Sequence, residues 1–170
     1  MARVEQESGG IVVADAGPLI HLDELDAVDL LADFAHVYVP EAVWNEVAHH
    51  RPTALTARFL ERVEAPVPIP DLQAIGRIYT LHRGELEALS ICCSVSPGGR
   101  LLTDDTAARL AATALHIPAN GTVGLLLRAL RRGQRDKSQT LAALEAIPER
   151  TSLHLRKALL EQIMNEVRFL

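Results

Sequence analysis

Ile11-Val12-Val13-Ala14-Asp15-Ala16-Gly17-Pro18 is the stretch on which the reading of the whole chain turns. Four apolar residues in a row, with no polar alternation, describe a strand covered on both faces, as strands of a parallel sheet are. The strand ends in an acid, Asp15. Gly17-Pro18 then turns the chain, and Pro18 suits the opening of a helix, where its missing N–H costs nothing. A buried strand that delivers a carboxylate into a turn and a helix is the start of a β-α unit. Downstream, residues 36–39 and 100–103 read as further short strands, residues 117–120 as a weak last one, and residues 67–69 as at most a short one. Helical spacing of apolar residues predicts two short helices over 19–34, broken near Asp26. It predicts further helices over 40–50, 53–63, 71–80, 84–95, 105–116, 121–132, 138–147 and 153–167, with Pro97-Gly98-Gly99 closing the one that begins at Gly84. Strands alternating with helices predict an α/β fold, a parallel sheet with helices on both faces.

Composition agrees and narrows the class. The chain has 170 residues, 48% of them hydrophobic and 4% aromatic, which allows one sizeable core and excludes a disordered chain. The net charge is −5, so a nucleic-acid partner has to be held by a local basic patch or through metal, not by global charge. Cys92 and Cys93 are adjacent and cannot build a disulfide framework, which fits a reducing, cytoplasmic setting. No apolar run reaches the roughly 18–20 residues of a membrane span, so no membrane role is expected. Residues 1–9 form a polar lead-in, unlike a signal peptide.

In a parallel sheet the strand carboxyl ends share one edge, and ligand sites form there. Asp15 closes the first strand, and Leu101-Leu102-Thr103 delivers Asp104 and Asp105. Either acid alone is an ordinary helix N-cap. Two helices add more. At about 100° per residue, Ala42, Val43, Trp44, Val47 and Ala48 share one apolar arc, and Glu46 falls inside it. In the helix from Gly84, Leu86, Ala88, Leu89, Cys92, Cys93 and Val95 make the apolar arc, with Glu85 in its middle. Glu87 lies opposite, beside Ser90 and Ser94, on the expected water side. Glu85 also stands in the first turn, where the helix dipole favours an anion.

Four carboxylates gathered together repel one another, and hard cations such as Mg²⁺ or Mn²⁺ resolve that repulsion through oxygen ligands. His and Cys show no zinc spacing. Cys92-Cys93 read as small core filler and His49-His50 as a solvated helix end. Arg128, Arg131, Arg132, Arg135 and Lys137 cluster late in the chain. They suit either the dipole of a helix C-terminus or RNA phosphates. Haloacid-dehalogenase-like phosphatases need Asp-x-Asp after the first strand, where this chain has Ala16-Gly17. A phospho-receiver needs paired acids near its first strand, and here the pair comes late.

Val13-Ala14-Asp15-Ala16-Gly17-Pro18-Leu19-Ile20, Val39-Pro40 with Val43-Trp44-Asn45-Glu46-Val47, His82-Arg83-Gly84-Glu85-Leu86-Glu87-Ala88-Leu89, and Leu101-Leu102-Thr103-Asp104-Asp105 with Ala108-Arg109 follow one another in an order and spacing that resembles the PIN domain. The likeness is to its prokaryotic VapC-like branch with a Gly-Glu-x-Glu-Ala motif and spans about residues 10–133, with 134–170 as a C-terminal helical extension. The resemblance implies a Rossmann-like three-layer sandwich around four to five parallel strands. It also implies Mg²⁺ or Mn²⁺ and endonuclease cleavage of RNA. Carried over, Asp15, Glu46, Glu85 and Asp105 are the catalytic and metal-binding acids, with Asp104 as a further metal ligand. For toxin members the resemblance implies an antitoxin partner and a homodimer. Relatives carry Thr or Ser after the first Asp, where this chain has Ala16, so an orienting hydroxyl is missing there. Two readings follow: a metal-dependent ribonuclease, or a PIN scaffold that binds RNA or protein without cutting.

Overall fold

A computed structural model describes residues 9–95 and 98–170. The polar lead-in before Gly9, and Pro97 of the expected helix-closing turn, lie outside them. Five strands form one sheet: β1 (Gly9–Ala14), β2 (Phe34–Pro40), β3 (Leu60–Val63), β4 (Arg100–Leu102) and β5 (Ala119–Asn120). Their order is β3-β2-β1-β4-β5, and every pairing is parallel. The helices are α1 (Ala16–Glu24), α2 (Glu41–His50), α3 (Pro70–Ile78), α4 (Arg83–Ser94), α5 (Thr106–Ala114), α6 (Thr122–Arg131), α7 (Lys137–Arg150) and α8 (Lys157–Phe169).

Side chains of β1 alternate across the sheet and sort the helices into two layers. Val12 and Ala14 face a core built with Leu19 and Leu22 of α1, Val43 and Val47 of α2, Leu125 of α6, Leu144 of α7 and Leu160 of α8. Val13 faces the other core, with Leu72 of α3, Leu89 and Ile91 of α4, and Ala108 and Ala111 of α5. Both faces of the central strand are covered, which is why its sequence is apolar without a break. Among the described residues no helix is long and apolar enough to cross a membrane.

The break expected near Asp26 falls there: Asp26 has φ 54°, and a 3-10 turn over Val28–Asp33 follows. One expected helix is corrected. Residues 53–63 hold a 3-10 turn, Pro52–Leu55, and then the edge strand β3. Leu55, Phe59, Leu60 and Val63 are spaced as in a helix, yet the open edge of β2 takes Leu60 opposite Val37 and decides for a strand. The strand expected at 67–69 is absent. Val67 is 85% exposed and Ile69 caps α3.

Candidate active site at the carboxyl edge of the sheet

After β1 the chain turns one way, through β2 to β3. It then returns to lay β4 on the other side of β1. The switch point therefore lies between β1 and β4, where ligands of such sheets bind. Asp15 and the pair Asp104-Asp105 flank it, and the Asp15 N–H donates to the Leu102 carbonyl across the gap at 2.9 Å.

Three of the acids, Asp15, Asp105 and Glu85, stand at helix starts. Asp15 caps α1, its Oδ1 accepting from Ala16 N at 2.8 Å, while Oδ2 accepts from Thr103 Oγ1 at 2.8 Å. Asp105 caps α5, its Oδ1 accepting from Ala108 N at 2.8 Å, and its own N–H donates to Thr103 Oγ1 at 3.2 Å. Thr103 thus ties the two acids together with one hydroxyl. Sequence reading passed over this role, although a Thr between an apolar strand and two acids was visible. It also means that a hydroxyl reaches Asp15 even though Ala16 has none. Glu85 is the third residue of α4, in a capping box with His82: its Oε2 accepts from His82 N at 2.7 Å. The capping roles coexist with the gathering of the acids, because each cap occupies one oxygen. Among the described residues, Asp105 Oδ2, Glu85 Oε1 and both oxygens of Glu46 accept no hydrogen bond.

Glu46 differs from expectation in burial. It is exposed, although Val43 and Val47 on the same helix are buried. It is nevertheless close to the start of α4: a Cβ added at Gly84 would lie 3.9 Å from Glu46 Oε2 and 3.0 Å from Val43 Cγ2. Gly84 lets α4 approach α2 this closely, bringing Glu85 and Glu46 to one side.

Electrostatics binds the four acids into one group. Burial pushes the Asp15 carboxyl above its ordinary range, and the charges of Glu46 and Asp105 push the same way against its hydrogen bonds. Burial likewise raises Glu85, and Asp15 and Asp105 add to it. Desolvation is the larger cause in both, ahead of the mutual repulsion that the sequence suggested. The acids are neighbours in charge without forming a closed cage: among the described residues, no three His, Cys, Asp or Glu side chains are grouped to hold an ion.

Asp104 looks elsewhere. Its Oδ2 accepts from His21 Nδ1 (2.8 Å) and Thr122 Oγ1 (2.6 Å), and its Oδ1 from Thr122 N (2.8 Å). Burial would raise this carboxyl, but these bonds outweigh it and hold it below its usual range. His21 Nε2 in turn stands 3.2 Å from Ser152 Oγ, so the relay locks α1, β4, α6 and the α7–α8 connection together.

Glu87 is also not where the sequence put it. Its Oε2 accepts from Ala42 N in the first turn of α2, and its Oε1 from Arg83 Nε. Its side chain is only 16% exposed. The first turn of α2 meets α4 at Glu87, and Ser90 one turn further along α4 is buried too. Of the two cysteines, Cys92 is core filler and Cys93 is exposed. His49 and His50 are solvated, as expected. The late basic cluster is largely tied up: Arg128 and Arg132 pair with Asp33, and Arg135 with Asp29. Arg128, Arg131 and Arg132 line a cleft with Gly9, Gly10 and Arg100, at the starts of the strands and so opposite the acids.

The chain is thus a doubly wound parallel α/β sheet with acids from four chain segments near its switch point. The chain belongs to the PIN-domain family: a family model described as a PIN domain matches residues 11–168. Members of this family are in general nucleases dependent on divalent metal. No curated protein and no solved structure gives a match to the chain.

Proposed function

We propose that this protein is a Mg²⁺- or Mn²⁺-dependent endoribonuclease, with Asp15, Glu46, Glu85 and Asp105 as its catalytic, metal-holding acids. The observation that carries the proposal is the division of labour in these carboxylates. One oxygen of Asp105 and of Glu85 is fixed by a backbone N–H at a helix start, and another is left without a partner. Oriented oxygens in an all-carboxylate set suit a hard cation. The raised carboxyls of Asp15 and Glu85 mark charge that a cation would relieve. A divalent ion bound there supplies Lewis acidity and lowers the pKa of water at the phosphodiester.

The chain's own groups do the rest. Thr103 keeps Asp15 and Asp105 in register across the switch point. The starts of α1, α4 and α5 turn their partial positive charge toward the acids and toward an incoming phosphate. Asp104, engaged by His21 and Thr122, serves this reading as a support of the β4 end. The VapC likeness extends the proposal to a toxin restrained by an antitoxin, acting as a homodimer.

The test is cleavage of labelled single-stranded RNA by the purified protein. EDTA abolishes cleavage, Mn²⁺ or Mg²⁺ restores it, and Asp15→Asn removes it. Cleavage that continues unchanged in EDTA sinks the metal mechanism. A second reading, RNA or protein binding without cleavage, draws on the lack of a preformed three-ligand group among the described residues. RNA binding with no cleavage across a full Mn²⁺ titration would decide for it.

A further inference from the structure

Beside the acids lies a cavity of 440 Å³, bounded by the ends of β4 and β5, the first turns of α5 and α6, and the α7–α8 connection with α8. Its size falls within the roughly 300–1,000 Å³ of small-ligand sites. Its walls differ in character. One side is apolar, with Leu153, Leu155 and the partly exposed Leu159. The other is polar, with Arg109, Asn120 and Thr106. Asp104, the residue next to Asp105, lines it as well, so the cavity adjoins the proposed cleavage site.

Two glycines give this space its shape. A Cβ at Gly121 would come within 2.4 Å of Asp104 Oδ1 and closer still to the Arg109 guanidinium. A Cβ at Gly124 would lie 3.2 Å from Asn120 Nδ2. Bare backbone at both positions makes room for the Arg109 guanidinium, Asp104 and Asn120 to pack against the start of α6. Asn120 is oriented: its Oδ1 accepts from Arg100 Nη1 at 2.5 Å, which turns Nδ2 toward Gly124. Among the described residues Nδ2 donates to nothing. The Arg109 Nε–H donates to the Thr103 carbonyl at 3.2 Å, anchoring the guanidinium at the mouth between the cavity and the acids.

A cavity apolar on one side and edged by hydrogen-bond donors on the other has the chemistry of a nucleobase site. Single-stranded RNA is read by splaying bases out and bonding their edges, with Arg planes as one stacking surface. The available donors, Asn120 Nδ2 and the Arg109 guanidinium, call for acceptors on the ligand. Entering by the edge that faces the major groove in a duplex, guanine offers N7 and O6 and uracil offers O4, whereas adenine and cytosine would turn an exocyclic amine toward a donor. We infer that this cavity is a base-recognition subsite, holding a keto base (guanine or uracil) of a single-stranded RNA next to the phosphate at the acids. The inference rests on the ribonuclease reading for its purpose, but the binding it describes is measurable without cleavage.

The test is saturation-transfer NMR of the full chain in EDTA with the four free nucleosides. Guanosine and uridine give signal, while adenosine and cytidine give at least several-fold less. Asn120→Asp keeps the acceptor for Arg100 and removes the donor. It weakens guanosine binding at least tenfold with an unchanged melting temperature. Leu159→Trp, at a position 39% exposed, fills the slot from the surface and removes binding of both keto nucleosides. Asp15→Asn leaves nucleoside binding intact while abolishing cleavage. In cleavage assays the two cavity variants raise KM and relax the base preference at the cut bond, with kcat little changed. Equal binding of all four nucleosides, or guanosine binding that survives both cavity substitutions, overturns the subsite. No nucleoside signal at all, the result if the slot instead takes an apolar protein segment, overturns it too. Persistence of cleavage in Asp15→Asn would sink the nuclease assignment of the acids and leave the subsite standing on its own binding data.

Discussion

Glu85 and Glu87 share one motif and one helix, yet the structure gives them separable tasks. About 200° apart around α4, they face different neighbours. Glu85 has one oxygen in the capping box and one without a partner beside Asp15 and Asp105. Glu87 joins α4 to the first turn of α2 through Ala42 N and to Arg83. Glutamine serves as well as glutamate in a capping box. Glu85→Gln should therefore leave the metal-free melting temperature within about 2 °C, since roughly 0.5 kcal/mol or less is at stake. Its loss of charge falls on metal and phosphate, and cleavage should drop at least about a hundredfold, or about 2.7 kcal/mol of transition-state stabilisation. Glu87→Gln reverses the pattern. The amide oxygen still accepts from Ala42 N, but the charge-assisted bond and an exposed ion pair to Arg83 weaken, for a cost of about 1 kcal/mol and a fall of about 2–4 °C. Cleavage stays within a few-fold. Thermal melts in EDTA and single-turnover cleavage in Mn²⁺ read the two axes independently. A dead Glu87→Gln with wild-type stability, beside an active Glu85→Gln, refutes the assignment of the open oxygen to metal.

Three further expectations follow from the geometry. Asp15→Asn keeps an acceptor for Ala16 N and removes a buried charge, so the metal-free protein should be as stable as wild type or more so; a loss of several kcal/mol in denaturant titration would contradict this. Burial alone would raise Asp33, but Arg128 and Arg132 hold its carboxyl below the ordinary 3.8; its contribution is therefore complete above that value and disappears as pH falls through the lower folded value. Asp33→Asn should cost about 1 kcal/mol at pH 7 and progressively less below pH 4, and an undiminished difference at pH 2 would rule out the ion pair as its source. Burial, with the neighbouring Cys93 second, pushes the Cys92 thiol up to about 12, so Ellman's reagent should count the single exposed thiol of Cys93 in the native protein and both thiols in denaturant; a native count of two means that Cys92 is reached.

Local patterns made much of the sheet legible, and tertiary contacts hid the rest. The unbroken apolar run before Asp15 reads as a buried strand and is the central strand β1, and the same pattern ending in acid marks β4. Residues 53–63 misled because helical spacing and edge-strand pairing suit the same residues, and only the presence of β2 chooses between them. Helical phase put Glu85 with Ala88, Leu89 and Cys92, which are buried on α4, while Glu85 itself is half-buried at its start. It could not reveal that a second helix covers the opposite side, so Glu87 was read as solvated. Glu46 falls within the apolar arc by helical phase, yet it is exposed, and Ala48 of the same arc is exposed with it. The His21–Asp104–Thr122 relay joins residues with no pattern in common along the chain, and no periodicity argument reaches it.

The insertion of β4 beside β1 also sets a timetable for a chain emerging from the ribosome. Val12 waits for Arg100, and Ala14 for Leu102, so the middle of the sheet closes only after more than half of the protein has been made. Until then β1 presents a bare, β-branched edge, a template for pairing with other chains. Over the same interval three of the acids exist without the fourth, and Asp15 lacks the hydroxyl of Thr103. The last acid and the strand that closes the open edge of β1 thus arrive together. Translation that stalls before Asp105 would leave a fragment prone to aggregate and unable to complete its acidic group.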